Sequence, residues 1–237
     1  MIVALDNTYS SQLYFLPARN SDGLLVGLKV VCQFSGLNNH VRIPTSLVLP
    51  RLTQQQEITL FQEKLALLTT CQLFFMQHNL TAWIMIPPGV VDALLNDEEL
   101  AASVQRLPFL ELAVSEQFPG LNDIDENHPL SKLSHYFPLA LSDFGAGNAS
   151  TRAVFTGLFK RIVLDKSFVQ RQLKSLSFEP FMRAIVSQIQ PYCQGIMISG
   201  IDDETIRQRV MPYGFNGMLG SLWPVVPESS LITLVQQ

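Results

Sequence analysis

Hydrophobic residues fall along this chain in two alternating rhythms. Short, nearly continuous apolar runs occupy Ala82–Ile86, Pro108–Ser115, Leu139–Phe144, Arg161–Asp165, Gly195–Gly200 and Phe215–Gly220, with starts 20 to 34 residues apart. That is the spacing of strand, crossover helix and strand, and runs with so few polar positions predict a sheet covered by helices. Between them the apolar period lengthens. Ile58, Phe61, Leu65 and Leu68 follow a Thr53/Gln56 capping pair, and Phe181, Ile185 and Ile189 follow Ser177, so both stretches predict amphipathic helices. Asp202 is the expected cap of another helix that Pro212 interrupts.

The chain opens on a hairpin pattern. Gln12–Pro17 and Leu24–Phe34 are rich in β-branched and aromatic residues and flank a turn of Asn20, Ser21, Asp22 and Gly23. With this hairpin included, the strand candidates number eight, which favours a single closed α/β barrel. An open doubly wound sheet remains the competitor, because spacing does not reveal closure. No Gly/Ser-rich or Pro-rich linker divides residues 1–237, so one domain is expected, and the turn-rich Phe118–Lys132 reads as an exposed loop.

Composition narrows the function. Charged residues make up 15% of the 237 positions, where about 25% is usual, while 47% are apolar and 15 are Phe. Such a chain orders itself around a large core. A net charge of -4 argues against a phosphate-neutralising surface, so nucleic acid is not expected as a direct partner. Three dispersed cysteines, Cys32, Cys71 and Cys193, fit reduced thiols in a cytoplasmic protein. The first residues lack a secretion pattern, and no apolar run reaches the roughly 18 to 20 residues of a membrane span, so no membrane association is expected.

Candidate chemistry is sparse. His40, His78, His128 and His135 have no metal-ligand spacing, and the Gly145–Gly147 GAG sequence is neither a dinucleotide nor a triphosphate fingerprint. Asp143, Asp165 and Asp202 stand at or just after the ends of apolar runs, where a barrel gathers its ligands. Helix capping and loop hydrogen bonding are the alternative roles for the same acids.

Taken together, VGLKVVCQF, FLELAVSE, LSDFGAGNAS, RIVLDKSFV, ISGID and GSLWPVVP resemble, in order and spacing, the motifs of the EAL-domain family. The resemblance covers essentially the whole chain. It implies a modified TIM barrel with an N-terminal hairpin and surrounding helices; active members hydrolyse cyclic di-GMP with divalent metals. It also implies a degenerate site. The family's name-giving glutamate falls at Lys29, its nearby arginine at Gln33, its asparagine ligand at Met85 and a second glutamate at Ala113. The first of two adjacent aspartates becomes Ser142, while Asp143, Asp165 and Asp202 are retained. The catalytic lysine falls at Val163, a later glutamate at Ser199 and the terminal glutamine at Leu219. The expected protein therefore has no catalytic residues, no metal and no cofactor, and is not expected to bind cyclic di-GMP. Likeness to degenerate members implies instead a protein partner, the FlhD component of the flagellar master transcription regulator, whose DNA binding it would block. A degenerate cyclic di-GMP sensor and a residual phosphodiesterase are the alternatives.

Overall fold

A computed structural model describes residues 1–4, 8–37, 41–147 and 151–236. The opening hairpin is longer than its apolar pattern suggests. Strand β2 (Thr8–Arg19) pairs antiparallel with β3 (Leu25–Gly36), while β1 (Ile2–Ala4) and β4 (Arg42–Ile43) flank its far end. The turn is built as its residues dictate: the Asn20 side-chain oxygen accepts the Leu24 N–H at 2.9 Å, and Gly23 takes φ +83°.

From β3 onward the strands run parallel: β5 (Thr81–Met85), β6 (Leu110–Ser115), β7 (Leu139–Phe144), β8 (Arg161–Leu164), β9 (Gly195–Ser199) and β10 (Gly217–Leu219). Closure comes from β2, which pairs with both β10 and β3 and is antiparallel to each. The result is a closed eight-stranded mixed barrel with β1 and β4 outside the ring, not an open sheet. The seam at β10 is narrow, a single Met218/Arg19 pair. It is reinforced by Phe15 and Val226, which exchange backbone hydrogen bonds of 2.8 and 2.9 Å, and by Arg19, which donates to the Leu234 carbonyl at 3.0 Å.

The helices among the described residues are α1 (Thr45–Val48), α2 (Gln54–Thr70), α3 (Gln72–Gln77), α4 (Pro88–Asn96), α5 (Glu98–Gln105), α6 (Pro129–Ser134), α7 (Thr151–Phe155), α8 (Lys166–Leu173), α9 (Phe178–Ile189) and α10 (Glu204–Val210). The expected capping box begins α2: the Gln56 N–H donates to Thr53 Oγ1, and the Thr53 N–H donates to Gln56 Oε1. Two other expected caps are corrected. Asp203, not Asp202, caps α10 by accepting the Ile206 N–H at 2.8 Å, because Asp202 is drawn away by Lys166, Gln170 and Ser221. Ser177 precedes α9, but its hydroxyl pairs with Ser175 at 2.8 Å and caps nothing. The expected loop at Phe118–Lys132 is also more structured than its turn residues imply: it holds a short 3-10 turn at Leu121–Asp123 and the start of α6, pinned by buried Phe118, Leu121 and Leu130.

Apolar residues divide into three layers. The largest lies between barrel and helices, where Leu28, Val30, Ile84, Leu112, Leu141 and Ile162 meet α2, α4 and their neighbours. A second fills the lumen, and a third, around Val3, Cys32, Phe34, Val48 and Leu60, lies where the hairpin extends past the ring.

Candidate functional site

Strand alternation decides what faces the lumen. A β-carbon at Gly27 would collide with the Trp83 ring and the Thr81 carbonyl, so the Gly27 face of β3 points inward. Lys29, two residues further, shares that face, opposite Leu16 on β2 and Trp83 on β5. Met85, Ala113, Val163 and Leu219 enter the same lumenal cluster as Ala18, Trp83, Ala140 and Met197. Ser142 is buried on β7 opposite Ser115, and Ser199 pairs with Leu219 across β9 and β10. Seven of the expected positions thus lie on seven successive barrel strands. Gln33 does not join them: it lies where β3 has passed the end of β5, opposite Gln12, with its Oε1 buried and without a partner.

The three acids Asp143, Asp165 and Asp202 do different work. Asp165 caps α8, accepting the Phe168 N–H at 2.7 Å. Asp202 accepts from Lys166 (2.9 Å), Gln170 (2.7 Å) and the Ser221 hydroxyl (2.7 Å), tying the β9 exit to α8 and to the segment after β10. Burial alone would raise its pKa, but the Lys166 and Ser221 hydrogen bonds and the Lys166 charge outweigh that and hold it at about 2. Asp143 sits at the β7 irregularity with φ +61°, a left-handed conformation that aspartate tolerates better than most residues. Gly145 follows with φ +99°, and its N–H donates to buried Glu116 at 2.8 Å. The GAG sequence is therefore a turn closed on a carboxylate. Residues 148–150, which end the LSDFGAGNAS motif, lie outside the described residues, as does His40.

The remaining histidines are structural. His128 Nδ1 accepts the Leu130 N–H at 3.2 Å, which leaves Nε2 to donate to the Pro119 carbonyl at 3.1 Å. His78 packs on Phe74 with ring centroids 4.9 Å apart, and His135 lies on the Lys132 carbonyl.

A two-metal centre does not fit this mouth. An ammonium at Lys29, a thioether at Met85 and a methyl at Ala113 offer no oxygen to a hard cation, and the Ser142 and Ser199 hydroxyls bring no negative charge. Among the described residues no three His, Cys, Asp or Glu side chains come together as a metal group.

Three polar residues carry weight that the motifs did not reveal. Glu111, at the lower end of the lumen, accepts from Trp83 Nε1 (2.8 Å) and Arg161 Nε (2.7 Å), and Lys160 lies 2.9 Å from its second oxygen. Glu116 anchors Gly145. Lys64 is buried on α2, and burial, aided by the Lys29 charge and opposed by Cys32, lowers its pKa to about 8. Two of them had a visible signal: Glu111 interrupts an apolar strand, and Lys64 stands between Phe61, Leu65 and Leu68 on the apolar helix face.

Residues 4–224 match the EAL domain family model. The chain is 52% identical, over the full length of both chains, to a Salmonella arizonae protein named "Anti-FlhC(2)FlhD(4) factor YdiV". It is 45% identical, again over both full lengths, to an Escherichia coli protein named "Putative anti-FlhC(2)FlhD(4) factor YdiV". A solved structure titled "Crystal structure of EAL-like domain protein YdiV" superposes with a TM-score of 0.89 at 45% identity, covering 99% of this chain and 100% of that one.

Proposed function

Because the chain belongs to the EAL domain family but carries a barrel mouth poor in oxygen ligands, we propose that it is a non-catalytic anti-activator of the flagellar master regulator. It binds the regulator through the FlhD subunit, keeps it from DNA and represses motility genes. The observation that carries this reading is the 52% identity along the full length of a protein named as an anti-FlhC(2)FlhD(4) factor. The mouth supports it: Lys29 brings positive charge where metals would need anions, and Asp165 and Asp202 are committed to a helix cap and an ion pair.

The mechanism is stoichiometric. A rigid barrel acting as one domain over residues 1–237 occludes or remodels its partner, and neither metal nor covalent chemistry takes part. DNA recognition belongs to the partner, in keeping with a net charge of -4. No described helix is long and apolar enough to cross a membrane, and the proposed place of action is the cytoplasm, where the regulator works. A second reading, cyclic di-GMP binding without turnover, has Lys29 in its favour as a point charge for phosphate, but it lacks a cradle of positioned donors.

Titrating the purified protein with FlhD and with the FlhC/FlhD complex, and separately with cyclic di-GMP plus magnesium or manganese, distinguishes these readings. The expected result is a saturable complex with FlhD, loss of operator binding by the regulator, and no hydrolysis product. Absence of an FlhD complex together with micromolar cyclic di-GMP binding overturns the proposal, as does hydrolysis abolished by Asp143→Ala.

A further inference from the structure

A cavity of about 380 Å³ opens beside the barrel mouth, between the N-terminal half of α2, the Leu49–Arg51 turn and the segments that follow β5 and β6. Leu52, Leu60, Phe61, Ile86 and Phe118 make its walls apolar, and Lys64 is the cation among them. The volume is in the range of small-molecule sites and too small for a folded segment of another protein. Lys64 is 8% exposed, and its ammonium has no hydrogen-bond or ion-pair partner among the described residues. Buried charges are ordinarily paired, so an unpaired ammonium on a residue lining an apolar cavity would be stabilised by an anion bound there.

From this geometry we infer that the cavity is a binding site for a small carboxylic acid with an apolar body, its carboxylate paired with Lys64 and its hydrocarbon or aromatic part against Phe61, Ile86 and Phe118. The number of charges follows from Glu57, which lines the same cavity. Glu57 lies seven residues before Lys64 on α2, about 10 Å along the helix axis. One anionic head is therefore accommodated at Lys64, while a second anionic group extending along the helix would meet the Glu57 carboxylate. The desolvated surroundings that raise the Glu57 pKa favour an apolar body at that end. The site goes beyond the anti-activator reading and does not depend on it.

Calorimetric titration of the intact protein with decanoate and naphthoate, each beside its neutral alcohol, tests the inference. Expected is saturable binding of at least one acid, with its alcohol about ten- to a hundredfold weaker because it lacks the charge-assisted bond to Lys64. Lys64→Met should erase that preference for the acid. Ile86→Trp, which fills the cavity, should abolish binding without changing the far-UV spectrum. Should Lys64→Met fail to fold, Lys64→Gln provides the same readout. No binding of either acid below about 1 mM, equal binding of acid and alcohol, or unaltered binding by Ile86→Trp overturns the site.

Discussion

Lys64 and Glu111 are both buried charges, yet their neighbourhoods give them opposite effects on stability. Lys64 has no counter-ion, and its pKa falls from 10.5 to about 8 on folding. The unfolded chain therefore binds the extra proton between those values. The resulting penalty is complete below pH 8 and disappears as pH rises through 10.5. Lys64→Met should thus be the more stable protein at pH 7 by on the order of 3 kcal/mol, and urea melts from pH 7 to 10.5 should show the two proteins converging. Glu111, in contrast, is held by Trp83, Arg161 and Lys160. Glu111→Gln leaves two cations without their carboxylate and should cost about 3 kcal/mol, read from the same melts. The Glu111 partnership was not legible in the sequence. The charge inside an apolar run was visible, but Arg161 lies fifty residues from Glu111, and pairing over that distance is set by strand order.

Elements were more legible than their ends. The apolar runs located β5 to β10 to within a few residues, because a strand buried on both faces leaves little doubt about its centre. Ends failed where one side chain had a better offer than its local cap, as Asp202 had in Lys166 and Ser221, and as Ser177 had in Ser175. The Thr53/Gln56 box was legible because both partners are local. Gly27 shows the opposite case: as one glycine in a strand it reads as a weak spot, yet Trp83 and the Thr81 carbonyl occupy the space of its missing β-carbon. Gly27→Ala forces Trp83 or the β3/β5 pairing to shift and should lower stability by about 1–3 kcal/mol, with the change visible in tryptophan fluorescence as well as in the melt.

At the scale of the whole molecule, closure was the question that spacing left open, and one antiparallel strand answers it. The proposal of a degenerate site rests on resemblance, since nothing in the composition marks Met85 or Ala113 as positions for an oxygen ligand. The barrel also depends on the segment beyond β10, where buried Leu231 and Leu234 pack and the Leu234 carbonyl accepts from Arg19. Removing residues 227–237 should cost about 3–6 kcal/mol, the burial of two leucines, measured by denaturant titration. The seam also has a consequence in time. Strand β2 can pair with β1 and β3 as soon as the hairpin emerges from the ribosome, but its free edge from Phe15 to Arg19 waits for β10 and Val226, almost two hundred residues later. At about 5–20 residues per second, that edge stays unpaired for roughly 10–40 s of synthesis. The nascent chain thus exposes a strand edge ready to pair with other chains, and production of the protein is expected to be most sensitive to chaperone supply during that interval.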